Sequence, residues 1–293
     1  MPLCGLNSQP FPTALLLEAV EFSRPGIWRP DWPAELPPDS FNLASDDWAS
    51  ITVSFGGNSF SLRRNGEQIT EFPWFFDGAL VQVYLDYLPS SSGTIPQLKQ
   101  IFLDDLVSLE ILEYSWAKPY LLRILRGGQY FFVLLEWGTG FISESWFDTE
   151  GIFLELYEYS FLPNDGAERI RSFRSASGGE EGRRDFDSRF LITGISGLEG
   201  EFSLYYSRNN LLAYWQRRPL GMEGGNYSFQ WDEREVLVRR SSSETGDSLY
   251  EYTFDSRGNW VERQEIIMKD NTGLLVPSLG MTVTRILEYE NSE

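Results

Sequence analysis

The sequence predicts an all-β chain with at most one short helix. It would fold as an antiparallel sheet of consecutive aromatic-rich hairpins, either open and curled or closed as a barrel. Three observations predict this. Aromatic residues make up 15% of the 293 residues, and rings suit a pleated, half-buried surface. A hairpin-length unit repeats near the C-terminus. Short apolar or alternating runs, bounded by Gly, Asn, Asp and Ser, recur along the body.

The repeat is the clearest of these. The segment Tyr227-Ser-Phe-Gln-Trp-Asp-Glu-Arg-Glu-Val-Leu-Val-Arg-Arg240 matches Tyr250-Glu-Tyr-Thr-Phe-Asp-Ser-Arg-Gly-Asn-Trp-Val-Glu-Arg263 without gaps, at an offset of 23 residues. Tyr227/Tyr250, Asp232/Asp255, Arg234/Arg257, Val238/Val261 and Arg240/Arg263 are identical pairs, and Phe229/Tyr252 and Trp231/Phe254 keep an aromatic. Side chains alternate faces along a strand, so three rings at every second position share one face. The aspartate that follows bonds forward to backbone amides, and Gly258 or Asn259 can take a positive φ, which makes a turn. One unit is therefore a hairpin with a ring-bearing face. Looser copies end in Phe72-Pro-Trp74-Phe-Phe76-Asp77-Gly78, in Trp146-Phe147-Asp148-Thr-Glu-Gly151, and in Phe202-Ser-Leu204-Tyr-Tyr206-Ser207, where Ser207 replaces the aspartate.

In chain order, residues 1–45 form a Pro-rich N-terminal arm, with Pro25, Pro30, Pro33, Pro37 and Pro38 around Trp28 and Trp32. Proline donates no ladder hydrogen bond, so the arm reads as extended or irregular and pinned by its tryptophans. A first β subdomain follows over 46–162, with strands expected at 51–55, 59–63, 80–88, 120–125, 130–137 and 153–161. Residues 95–109 fit a helix, with Leu98, Ile101, Phe102, Leu106 and Leu109 near 3.6 spacing; a strand pair fits them as well. Residues 163–189 read as a long polar loop between subdomains. A β-hairpin repeat subdomain spans 190–293, with further strands at 190–195, 202–206 and 282–289.

Composition closes several routes to chemistry. There is no histidine, which removes His-dependent acid–base catalysis, catalytic triads and His-containing metal sites. Cys4 is the single cysteine, so no internal disulfide or thiolate cluster can form. With 24 basic against 43 acidic residues the formal net charge is −19, which repels a phosphate backbone and argues against nucleic acid as a partner. The acidic pairs Asp46-Asp47, Asp104-Asp105 and Glu180-Glu181 point to opposite faces if extended and read as solvated surface. Asp77, Asp148, Asp232 and Asp255 read as turn caps. No phosphate-cradling glycine loop and no nucleophile elbow occur. No catalytic, cofactor-binding or metal-ligating residue is therefore expected, and no cofactor.

The tract from Tyr250 to Arg263 resembles the Tyr-Asp (YD/RHS-like) repeat of bacterial cell-surface and secreted proteins. Gly258 and Asn259 match its Gly-Asn, and Phe254 stands in place of the tyrosine before Asp255. The resemblance implies a sheet-forming extracytoplasmic scaffold or binding role and carries no catalytic residue onto these positions. At the other end, Met1-Pro2-Leu3-Cys4-Gly5-Leu6-Asn7-Ser8 resembles the mature start of a bacterial lipoprotein, which implies Cys4 as a lipid-attachment site. No segment approaches the roughly 18 apolar residues of a spanning helix. The expected function is a non-enzymatic structural or binding protein of the bacterial cell envelope or periplasm, with a protein or glycan partner. The alternative is a carboxylate-dependent hydrolase acting on glycans, and the alternative location is the cytoplasm. An exposed aromatic strip would favour binding over catalysis.

Overall fold

The computed structural model describes residues 10–21, 43, 48–66, 68–76, 79–88, 97–105, 107–116, 118–161, 169–178, 181–189, 191–197, 200–219, 224–243, 246–272 and 274–290. Cys4, most of the Pro-rich arm, Asp46-Asp47, Asp77 and Glu180 lie outside them. Among the described residues the elements are a helix, α1 (Thr13–Glu21), and twenty strands. The strands are β1 (Trp48–Phe55), β2 (Asn58–Asn65), β3 (Gln68–Phe76), β4 (Ala79–Tyr87), β5 (Leu98–Leu103), β6 (Val107–Ser115) and β7 (Lys118–Arg126). Next come β8 (Gln129–Gly138), β9 (Phe141–Phe147), β10 (Phe153–Phe161), β11 (Ile170–Ser175), β12 (Glu181–Phe186), β13 (Ile192–Gly197) and β14 (Gly200–Tyr206). The last are β15 (Leu212–Pro219), β16 (Gly225–Trp231), β17 (Leu237–Ser242), β18 (Gly246–Phe254), β19 (Trp260–Asn271) and β20 (Leu274–Tyr289).

The chain divides into two compact units that interleave along the sequence. One is Met1–Phe22 with Val81–Arg184; the other is Ser23–Leu80 with Asp185–Glu293. In the first unit each strand from β4 to β12 pairs antiparallel with the next. One sheet face carries Val83, Ile101, Leu109, Leu122, Ile124, Val133 and Leu135, all with no exposure. Each such side chain contributes roughly 1.5–3 kcal/mol by leaving water. α1 belongs to this unit, and Phe11 just before it meets the Trp146 ring edge-on at 5.3 Å.

In the second unit β13 to β20 also pair in sequence. β20 then pairs antiparallel with β1, and β1 and β2 continue to β3. An open meander in chain order would leave β1 and β20 at opposite edges. Their pairing, Ile51 opposite Leu287 and Val53 opposite Arg285, excludes that order and joins the first and last strands within this unit. The repeat forms two hairpins, β16–β17 and β18–β19, with Tyr227 and Phe229, and then Tyr250, on the buried face.

One expectation is resolved and two are corrected. Of the helix and the strand pair that residues 95–109 fitted, the strand pair forms: β5 and β6 make a hairpin around Asp104, whose φ is +43°. Ile101 and Leu103 are buried while Phe102 between them is exposed, a period of two. Apolar residues on both faces of this strand had imitated helical spacing. The helix that does form, α1, lies in the Pro-rich arm. It occupies the Thr-Ala-Leu-Leu-Leu-Glu-Ala-Val-Glu stretch after Pro10 and Pro12, made mostly of strong helix formers. Residues 163–189, read as a loop for their Ser, Gly and charge content, contain β11 and β12.

Candidate binding surface

The turn aspartates belong to a single repeated device. Asp148, Asp187, Ser207, Asp232 and Asp255 each donate their backbone N–H to the carbonyl four residues on, at 3.0, 3.0, 2.7, 3.0 and 2.8 Å. The side-chain oxygen accepts in return from the backbone N–H of that same later residue: Ile152, Leu191, Leu211, Val236 or Asn259. In the four aspartate turns it also accepts from the N–H two residues on. The third residue after the cap turns left-handed at Gly151, Asn210, Glu235 and Gly258, with φ of +79°, +64°, +61° and +83°. This is a type I turn closed by a left-handed residue, which suits the twist of a hairpin. Glu235 thus stands where its repeat partner has Gly258.

The turns of the second unit are also fastened to one another. Arg189 donates through Nη1 to the carbonyl of Ser207 and to Oδ1 of Asn210, at 2.8 and 2.9 Å. Arg234 lies over the Phe254 ring at 5.2 Å, and Arg257 over the Tyr289 ring at 3.9 Å. The invariant arginine of the repeat therefore ties each turn to the hairpin beside it. Asp255 further accepts from the Tyr289 hydroxyl, which itself accepts from Asn259 Nδ2 at 2.8 Å. Slight burial raises the Asp255 carboxyl, but the Tyr289 hydroxyl and the Asn259 and Arg257 amides outweigh it and hold it below the usual carboxylate range.

Two buried acids that sequence reasoning missed fasten α1. Glu144 on β9 is fully buried. It accepts from the N–H groups of Thr13 and Ala14 at 3.0 and 2.9 Å, from the Thr13 hydroxyl, from Trp146 Nε1 at 2.6 Å and from the Tyr159 hydroxyl at 2.7 Å. The first helical amides lack partners within their own helix, and a carboxylate there also complements the helix dipole. Burial pushes the Glu144 carboxyl up, against the pull of these donors. Glu18, within α1, accepts from the Ile170 amide at 2.8 Å and pairs with Arg169 at 3.2 Å and with Arg184. Asp104 bonds reciprocally with Gln82, its N–H to the carbonyl at 2.9 Å and its Oδ1 from the amide at 3.2 Å. These carboxylates are occupied in holding backbone. Among the described residues no group of three or more Asp, Glu or Cys side chains gathers as a metal site.

The feature suited to recognition lies on the opposite, water-exposed face of the first unit. Cross-strand register aligns Tyr84, Phe102, Ser108, Leu125 and Tyr130 on β4 to β8. Two residues further along β8, register aligns Phe132 with Phe147 on β9 and Phe153 on β10. Tyr84, Phe102, Tyr130 and Phe153 are 42, 36, 48 and 54% exposed; Phe132 and Phe147 are half-buried between them. Phe147 and Phe153 meet edge-on at 6.0 Å, and Arg123 lies 5.7 Å from the Tyr130 ring centre. At about 4.8 Å per strand, the strip runs about 29 Å from β4 to β10. The charges beside it are paired, Lys99 with Asp86 at 3.5 Å and Arg123 with Glu110.

No protein-family model matches the chain, and no curated protein matches it. Among solved structures, a porin-like protein from Bacteroides uniformis is similar over 82% of this chain and 98% of its own, at 11% identity and a TM-score of 0.36. A chain of the TcdB2-TccC3-Cdc42 complex is similar over 78% of this chain and 14% of its own, at 10% identity and a TM-score of 0.32. No described helix is long and apolar enough to cross a membrane, which leaves strands unaddressed.

Proposed function

We propose that the chain is a non-catalytic binding scaffold of the bacterial cell envelope, working in its aqueous part and presenting the aromatic strip of the first unit to a partner. The strip is the observation that carries this reading. Partly exposed rings in register over several strands are costly to leave in water unless something covers them. The buried and turn carboxylates, the resource of a His-free hydrolase, are engaged in fastening α1 and closing turns.

Polarity supports an aqueous setting. On the exposed face the strands carry the ion pairs Lys99–Asp86, Arg123–Glu110 and Arg174–Glu158, while the aliphatic residues with no exposure face the other way. Strands in lipid reverse this arrangement, because a charge at mid-membrane on the lipid face costs about 2–4 kcal/mol. What supports the envelope is the lipoprotein-like tract around Cys4 and the Tyr-Asp-like hairpin, whose turn recurs with an aspartate cap at Asp148, Asp187, Asp232 and Asp255 and a serine cap at Ser207. The test is mass spectrometry of the protein recovered from fractionated cells, combined with assay of glycans for new reducing ends. Acylated Cys4 in the envelope fraction and unchanged glycans are expected. An unmodified cytosolic chain would overturn the location, and released sugar would overturn the non-catalytic reading.

A further inference from the structure

Resting on the reading of the strip as a binding surface, we infer that its ligand is an uncharged polysaccharide, laid across β4 to β10 with the C–H faces of its sugars on the rings. The strip follows the strand-to-strand direction, with rings on β4 and β5 and again on β8 to β10, and Ser108 and Leu125 on the two strands between, so an extended chain laid across it meets two groups of rings. Tyr84, Phe102, Tyr130 and Phe153 keep between a third and just over half of their surface open. Each ring is thus held in part by the sheet and open in part to a ligand. A pyranose ring is apolar on its faces and polar on its rim, which matches a flat ring bordered by hydroxyls and amides.

Such polar groups border the strip. Ser108 lies in its line and accepts a hydrogen bond from Gln100 Nε2 at 2.8 Å, and Ser145 and Ser143 follow Phe147 on the same face of β9. Charge selects the class of polymer. Lys99 and Arg123 beside the rings are matched by Asp86 and Glu110, so neither is a surplus cation for an acidic glycan. The chain as a whole, at −19, repels one.

The experiment is depletion of the full chain from solution by chitin, cellulose and mannan powders, and by beads carrying polygalacturonate or a Pro-rich peptide. It is run on the wild type, Phe102→Ala, Tyr130→Ala, Tyr130→Phe and Trp116→Ala. Trp116 is a control, a hairpin-tip residue 99% exposed and outside the strip. Retention on at least one uncharged polysaccharide is expected, little changed between 50 mM and 500 mM salt. Each ring-to-alanine change should weaken it about fivefold, the equivalent of about 1 kcal/mol per stacked ring. Tyr130→Phe and Trp116→Ala should bind as wild type, and every variant should remain fully folded at the assay temperature by circular dichroism. Strip-dependent capture by polygalacturonate or the peptide alone would overturn the polysaccharide class and leave the binding surface standing. Strip variants that behave as wild type in every arm would overturn both.

Discussion

Replacing Glu144 by alanine should detach α1 from the sheet beneath it. The carboxylate receives two backbone amides of the helix start, the Thr13 hydroxyl, the Trp146 indole and the Tyr159 phenol, all within a buried site. Each buried donor left without an acceptor costs about 1–3 kcal/mol, and removing the acceptor of a buried charged network costs about 3–5 kcal/mol in all. The helix can relax outward and rehydrate its two amides, so a loss of about 4 kcal/mol is expected. At about 2–4 °C per kcal/mol for a chain of this size, the melting temperature should fall by about 8–16 °C. Glu144→Gln keeps the shape but turns an amide N–H₂ toward donors, and should lose at least half as much. Calorimetry reads the melting temperature, and hydrogen exchange of residues 13–18 reads the helix. A Glu144→Ala protein melting within about 2 °C of wild type, with the helix still protected, would refute the fastening role.

The turns give further expectations. Glu235→Gly should stabilise the protein by about 0.5–1 kcal/mol, because a left-handed non-glycine costs roughly 1–2 kcal/mol and glycine's greater unfolded freedom returns part of it; urea midpoints measure this. Gly258→Ala, at φ +83° in open space, should lose about 1 kcal/mol by the same reasoning. Asp255 is held below its unfolded value of 3.8, so its contribution is present above that value and lost as pH falls through the folded one. Wild type should therefore lose more stability between pH 5 and pH 2 than Asp255→Asn, and equal losses in the two proteins would contradict the assigned role. Arg257→Ala, which removes the cation over Tyr289 at 3.9 Å, should cost about 0.5–1 kcal/mol and loosen the adjoining turn in exchange measurements.

Hairpin architecture was legible in the sequence because ring alternation and the turn-closing aspartate are local signals. Tyr227 and Tyr250, and the glycines after Asp148 and Asp255, stand where the pattern put them. Asp187 was hidden in a charged stretch, although it builds the same turn. α1 was not legible: a nine-residue helix is too short to stand alone, and what stabilises it is Glu144, some 130 residues away. The strip escaped for a related reason. On β8, Phe131, Val133 and Leu135 face the buried side while Tyr130, Phe132 and Leu134 face outward. Both faces being apolar, alternation could not say which rings meet water. Only the register of β4 to β10 gathers Tyr84, Phe102, Tyr130 and Phe153 into a line.

The most direct check on that line is oxidative footprinting of the protein with and without soluble oligosaccharides of the polymer it retains. Tyr84, Phe102, Tyr130 and Phe153 should be shielded together, while Tyr205, 60% exposed in the other unit, and Trp116 react as before. Equal labelling of all six aromatic side chains in the presence and absence of the oligosaccharide would contradict the account.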